Sequence, residues 1–357
     1  MNKPLRAIGL MSGTSVDAID AAIIETDGIN IFSLGESFAL PIDKELSKSI
    51  KNLQNDTRDL LDIENQITKL HAETVKLLLK KSKLKPSDID LIGFHGQTII
   101  HAPNRGITQQ IGDGSLLAEL TNINVICDFR RRDVAAGGQG APLAPLYHAS
   151  LIKDLSKPIA VINIGGVSNI TYINDNAEQI IAFDIGPGNA LIDDFIFSRT
   201  GDTYDSNGNI AKSGVIHEKI VEKLLSNSFF NTPPPKSLDR NHFANNLVTG
   251  LNSNDGAATL TAFTAKAIAQ CIKFLPQKPK LWLISGGGRH NKTLMQYLSN
   301  YIESEVQAIE ALKINGDFIE AQAFGFLAVR SYYKLHLSLP TTTGVGRLVT
   351  GGAFYQA

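Results

Sequence analysis

A chain of 357 residues, 43% hydrophobic and 19% charged, is long enough for two domains and too apolar for extended disorder. Its 34 basic and 35 acidic side chains nearly cancel to a formal net charge of −1, which argues against a general nucleic-acid or membrane-surface binder. Cys127 and Cys271, the two cysteines, are too far apart to suggest a disulfide framework or a zinc site. No run approaches the ~18 apolar residues of a spanning helix. The start, M-N-K-P-L-R-A-I-G-L-M-S-G, is interrupted too soon for a signal peptide, so the expected location is cytoplasmic.

Residues 5–11 and 18–24 predict two strands joined as a hairpin by the loop M-S-G-T-S-V-D, and 31–39 adds a third. From about 57 to 82, Leu60, Ile63, Ile67, Leu70 and Thr74 recur at helical spacing. Lys80, Lys81 and Lys83 crowd the helix end, and Pro86 stops any continuation. L-I-G-F at 91 and V-I-C at 125 are short apolar runs between turn residues and predict buried strands. The stretch 133–145, D-V-A-A-G-G-Q-G-A-P-L-A-P, is too apolar for a flexible linker and predicts an ordered loop near a boundary.

The second half repeats the opening device. A strand at 159–164 enters Gly165-Gly166, I-T-Y-I leaves it, and a third strand at 180–184 ends in I-G-P-G-N before a helix at about 189–199. Helices near 214–227 and 257–275 follow. A strand at 281–285 then runs into Gly286-Gly287-Gly288 and a helix at about 292–303, and an amphipathic helix spans about 317–334. Strands followed by helices, twice over, predict two related α/β halves with a cleft between them. The expected boundaries are 1–132 and 133–334, with 335–357 packing back on the first half.

Three glycine loops at strand ends suit close approach of backbone N–H groups to phosphate, although any one alone reads more readily as a tight turn. Neither G-x-x-x-x-G-K-[ST] nor G-x-G-x-x-G occurs in the required context, so the P-loop and Rossmann solutions are absent.

This arrangement resembles the sugar kinase, actin and Hsp70 superfamily, with one departure: Met11-Ser12 stands where the first loop usually opens with an aspartate. The longer motifs narrow the resemblance. G-L-M-S-G-T-S-V-D-A-I-D, F-H-G-Q-T-I-I-H, D-F-R-R-R-D-V-A-A-G-G-Q-G-A-P-L, N-I-G-G-V-S-N-I-T and F-D-I-G-P-G-N together resemble the anhydro-N-acetylmuramic acid kinases, from about residue 8 to 354.

The resemblance implies two duplicated actin-like (ribonuclease H-like) domains with ATP in the cleft between them. It also implies that 1,6-anhydro-N-acetylmuramic acid and water become N-acetylmuramic acid 6-phosphate during cell-wall recycling. The implied ATP-binding residues are Gly13, Thr14, Ser15, Val16, Asp17, Ala18, Ile19 and Asp20 in the first loop, Gly165, Gly166, Asn169 and Gly186 in the second, and Gly286, Gly287 and Gly288 in the third. Mg²⁺ is the expected companion of ATP, with Asp17 and Asp20 near it. Asp184 matches the family's general base; the alternative for it is a cap on the helix near Asn189.

Gln97 and Thr98 are expected at the sugar site, with Asp128 and Glu320 as hydroxyl acceptors by resemblance; Glu320 reads equally as a surface charge. One of Arg130, Arg131 and Arg132 is expected to meet the lactyl carboxylate, and Arg131 is taken for that role. His95 and His101 predict a polar strand end rather than a metal site. F-F-N-T-P-P-P-K-S at 229–237 predicts a rigid wall. The implied partners are the amino sugar and ATP, without nucleic acid or membrane; a homodimer stays open. A simple hexose kinase and a non-catalytic actin-like ATP-binding protein are the alternatives.

Overall fold

The computed structural model describes residues 2–53, 58–174, 180–239, 242–243 and 245–357. The chain divides into two compact units, one of residues 1–153 with 318–357 and one of 154–317.

In the first unit the strands are β1 (Leu5–Ser12), β2 (Ala18–Thr26), β3 (Ile31–Pro41), β4 (Leu91–Phe94), β5 (Gln97–Ala102), β6 (Ile107–Ile111) and β7 (Val125–Cys127). Among the described residues the main sheet runs β3-β2-β1-β4-β7 and is closed by strand Ala353–Tyr355, while β5 and β6 pair separately. β2 runs antiparallel to both β1 and β3, and β1, β4 and β7 are parallel.

In the second unit β8 (Ile159–Ile164), β9 (Val167–Ile173), β10 (Ile180–Pro187), β11 (Leu281–Ser285) and β12 (Glu305–Ala308) take the order β10-β9-β8-β11-β12. Here too the first three strands are antiparallel and the last two run parallel to the first. Numbered in chain order within each sheet, and leaving aside Ala353–Tyr355 at the edge of the first, both read 3-2-1-4-5. This is the duplicated ribonuclease H-like α/β arrangement that the repeated sequence device predicts.

The sheet core follows from period-2 alternation made apolar on both faces. Ile8, Leu10, Ala21 and Ile23 pack with Ala72, Val75 and Leu78 of helix Leu60–Ser82. Ala7 and Gly9 face the other way, toward helix Ile319–Tyr332. There the helix lies directly on the strands: a Cβ on Gly9 would sit 1.7 Å from the Ala321 carbonyl oxygen, and one on Gly93 would sit 2.1 Å from that of Phe324. Any side chain at either position would push the helix off the sheet.

That contact corrects two readings. The expected amphipathic helix at 317–334 is buried almost all round, from Ala321 to Arg330, and belongs to the first unit. The units divide after Lys153 and after Asp317, whereas the sequence reading places the boundaries after 132 and 334. The 133–145 stretch lies inside the first unit and is tied down by Asp133. Its buried carboxylate accepts from Gly140 N at 2.6 Å, from Thr343 Oγ1 at 2.6 Å and from the Ser338 hydroxyl.

Candidate functional site

In the second unit β8 and β11 are parallel neighbours, so the glycine loops that follow them leave the sheet at the same edge. Asn189 N donates to the Gly165 carbonyl at 2.7 Å, and Gly188 N to that of Gly166 at 2.9 Å. The Asn189 side chain donates to Ile164 O at 3.2 Å. Gly286 has φ +74°, a left-handed value suited to glycine, and a Cβ on Gly288 would come within 2.4 Å of Ile164 Cγ2. Gly165-Gly166, Gly188-Asn189 and Gly286–Gly288 therefore pack backbone to backbone, and helix Ala190–Thr200 starts from the same cluster. Gly166 and Gly287 remain exposed. Bare backbone beside a helix N-terminus is the surface that phosphate or ribose oxygens approach most closely. Arg289 is not available to a ligand: it ion-pairs with Glu310 at 2.7 Å and Asp317 at 2.6 Å and donates to Gly286 O.

Strand register lines up Ser285, Asn163, Asn169 and Asp184 across β11, β8, β9 and β10. Asp184 lies inside β10, which continues to Pro187 through an irregularity between Asp184 and Gly186, so the strand does not end there as expected. Asp184 does not cap a helix either: its Oδ2 accepts from Leu238 N at 2.8 Å, and its own N–H donates to Lys236 O at 3.1 Å. Oδ1 makes no hydrogen bond with any described residue. Burial pushes the Asp184 carboxyl up to about 7, against the opposing pull of the Leu238 N–H and the Lys236 charge. Gly186 packs on Phe230.

The first unit carries a loop of the same kind between β1 and β2. Thr14, Ser15 and Asp17 are exposed, and Gly13, Ala18 and Asp20 are partly so. Asp17 Oδ1 accepts from Ser15 Oγ at 2.6 Å and from Ala18 N at 3.1 Å, and Val16 N closes the turn on Gly13 O at 3.1 Å. Val16 and Ile19 differ from the expectation. Their side chains are buried with Ile42, Leu46 and Ile50, so only their main chain is left to a ligand.

Gln97 is fully buried beneath this loop, donating to Gly13 O at 3.2 Å, and Thr98 accepts from Gln110 at 3.2 Å. Of the three arginines, Arg131 is half-exposed, 3.6 Å from Asp128 Oδ1 and donating to Gln109. Asp128, Arg131 and Arg132 line a surface cavity of about 340 Å³ with Gly351 and Gly352. Arg130 takes a different course, inward. Its Nε donates to His95 Nε2 at 3.0 Å and its Nη1 to Gly140 O at 2.7 Å, over the Phe324 ring. Burial lowers its pKa to about 10, opposed by the charges of Glu320 and Asp133. Glu320 is exposed in the first turn of its helix. Among the described residues no three His, Cys, Asp or Glu side chains gather as a metal-binding group.

The sequence reading weighed Arg130 beside Arg131 but preferred Arg131, and it did not single out Asn189 or Lys236. For Lys236 a signal existed: a lysine directly after three prolines is held in place by a stiff segment.

The family model for anhydro-N-acetylmuramic acid kinase matches residues 5–357. The chain belongs to the anhydro-N-acetylmuramic acid kinase family. Curated members from Rhodopseudomonas palustris and Rhodospirillum rubrum are 47% and 45% identical to it, over 98% of this chain and 98% and 94% of theirs. Among solved structures, a ROK family glucokinase from Streptomyces griseus in complex with glucose and AMPPNP is 12% identical. It covers 90% of this chain and 99% of its own, at a TM-score of 0.42. As a member of the anhydro-N-acetylmuramic acid kinase family the chain is a sugar kinase. No helix among the described residues is long and apolar enough to cross a membrane.

Proposed function

We propose that the chain uses ATP to convert 1,6-anhydro-N-acetylmuramic acid and water to N-acetylmuramic acid 6-phosphate. Water attacks C1, the C1–O6 bond breaks, O6 takes the γ-phosphoryl group, and ADP leaves. The observation that carries this reading is Asp184: one oxygen is anchored by Leu238 N–H, and the other accepts nothing from the described residues. A carboxyl that titrates near 7 can take a proton from the attacking water at neutral pH. No acid partner is required for the departing O6, because phosphorus captures it; this separates the chemistry from ordinary glycoside hydrolysis.

Gly165, Gly166, Asn169 and Gly286–Gly288 would hold the nucleotide, and Gly13–Asp20 offers a second loop of the same kind. Mg²⁺ supplies charge neutralisation on the transferring phosphoryl group when bound. The exposed Asp17 suits a metal that keeps several waters and uses few carboxylates. Gln97, Thr98, Asp128, Arg131 and Glu320 are proposed for the sugar. The setting is cytoplasmic recovery of cell-wall fragments.

Isotope-labelled water tests the reaction. With ATP, Mg²⁺ and the anhydro sugar in ¹⁸O water, the product should carry the label at C1 in equal amount to the ADP formed. ADP formation with an unlabelled sugar product would replace this reading with simple hexose phosphorylation.

A further inference from the structure

The segment leading to Leu238 grips Asp184 from two sides. Lys236 O accepts the Asp184 N–H at 3.1 Å, and two residues later Leu238 N–H reaches the carboxylate at 2.8 Å. The orientation of the carboxylate therefore depends on where residues 236–238 lie.

Within that segment the Lys236 ammonium is itself held in place. It stands 4.3 Å from the centre of the Phe229 ring, 4.6 Å from that of Phe274 and 5.8 Å from that of Phe183, the residue before Asp184. It also donates to Phe229 O at 3.0 Å. Phe183 and Phe274 meet edge-on at 5.9 Å, so the rings form one cradle from three parts of the unit. No carboxylate of the described residues lies within ion-pairing distance of the ammonium. A cation held by ring faces instead of a counter-ion is fixed in direction, since the quadrupole attraction is lost off the faces.

We propose that Lys236 is the positioning residue for the base. Its ring-clamped ammonium sets the strand-like segment that aims Asp184, and its charge favours the ionised carboxylate. This rests on Asp184 acting as the base. The titratable groups facing this region are Asp184, Cys271 and Lys273, and Lys273 is itself over Phe274 at 5.2 Å and bonded to Asn231. Burial, with the Lys273 charge second, brings Lys236 down to about 8, so it carries its proton through the neutral range.

The test compares Lys236→Met, which keeps the length and the contact with the rings, with Lys236→Arg, which keeps the cation. kcat/KM would be followed from pH 5 to 9 with ATP, Mg²⁺ and the anhydro sugar, beside ATP affinity by calorimetry and circular dichroism. Lys236→Met should lose between about ten- and a hundredfold in kcat. Its acidic limb should move about one pH unit higher. ATP affinity should stay normal, and Lys236→Arg should return the limb to its original place. A native-like Lys236→Met with an unmoved acidic limb overturns the proposal. If Lys236→Met does not fold, Phe274→Leu loosens the cradle with the ammonium intact and should move the limb in the same direction; an unmoved limb there overturns it equally. Asp184→Asn run alongside separates the two ideas. Full turnover in that variant removes the base itself, whereas an inactive Asp184→Asn with an unshifted lysine variant removes only the role of Lys236.

Discussion

Arg130 donates from Nε to Nε2 of His95 at 3.0 Å, and Nδ1 of the same ring faces Gly96 O at 2.8 Å. The two contacts fix the tautomer: the imidazole is neutral, with its proton on Nδ1. Protonating Nε2 would set two cations against each other in a buried place. Burial first, and then the Arg130 charge, hold His95 well below the usual histidine range.

Acid stability should show the consequence. Burial brings His71, His101 and His148 down to about 4, beside the strongly lowered His95. Each stays neutral in the folded chain and gains a proton on unfolding. The stability each contributes is present above about pH 6.5 and is lost as pH falls toward 4. Asp184 acts in the opposite sense, holding a proton when folded up to about pH 7 that it releases on unfolding. Four protons gained and one released leave about three taken up on unfolding over this window, and His336, also lowered by burial, adds to the uptake. Urea midpoints measured between pH 7 and 4.5 should fall with that slope, and a flat profile would refute the buried neutral histidines.

Asp184→Asn should separate stability from catalysis. Loss of the base should cost on the order of 10²–10⁴-fold in rate, with ATP binding retained. Because the carboxyl is pushed up to about 7 by burial, the folded chain pays for ionising it, and the amide removes that cost. The variant should therefore be more stable than the parent at pH 8, by on the order of a few kcal/mol, and that advantage should shrink toward zero as pH falls to about 3, where the carboxyl is mostly protonated in both the folded and the unfolded chain. Thermal melts at the two pH values, read with a coupled ADP assay, check both halves.

The third glycine loop allows a clean probe of the nucleotide. A Cβ on Gly287 meets nothing closer than Asn189 Nδ2 at 3.7 Å, whereas one on Gly288 would be 2.4 Å from Ile164. Gly287→Val should keep a native circular dichroism spectrum and lose well over tenfold in ATP affinity by calorimetry, because the added methyls occupy only the outer face. Unchanged affinity in the folded variant would place the nucleotide elsewhere.

Gly9→Ala should be severely destabilising, by about 3 kcal/mol or more, since the new methyl would overlap the Ala321 carbonyl of the helix lying on β1. Gly346→Ala, with nothing within 4 Å, should stay within about 0.5 kcal/mol of the parent. Urea denaturation of the pair measures the contrast.

The sequence by itself determined the repeated hairpin-and-strand pattern of both units, the glycine loops at strand ends and the prominence of Asp184. Those are local matters: period-2 apolar runs and turn residues act within a few positions, and the family motifs are contiguous. It did not reveal that helix Ile319–Tyr332 is buried on the first sheet, because its burial depends on Gly9 and Gly93, some three hundred residues upstream at the first of them. Nor did it distinguish Arg130 from Arg131. Neighbours in a run of three arginines have equal charge, and only the turn into a short helix sends one toward His95 and the next to the surface. Tertiary structure alone decided which polar group is buried, and burial, through the cost of removing charge from water, is what sets the chemistry of Asp184.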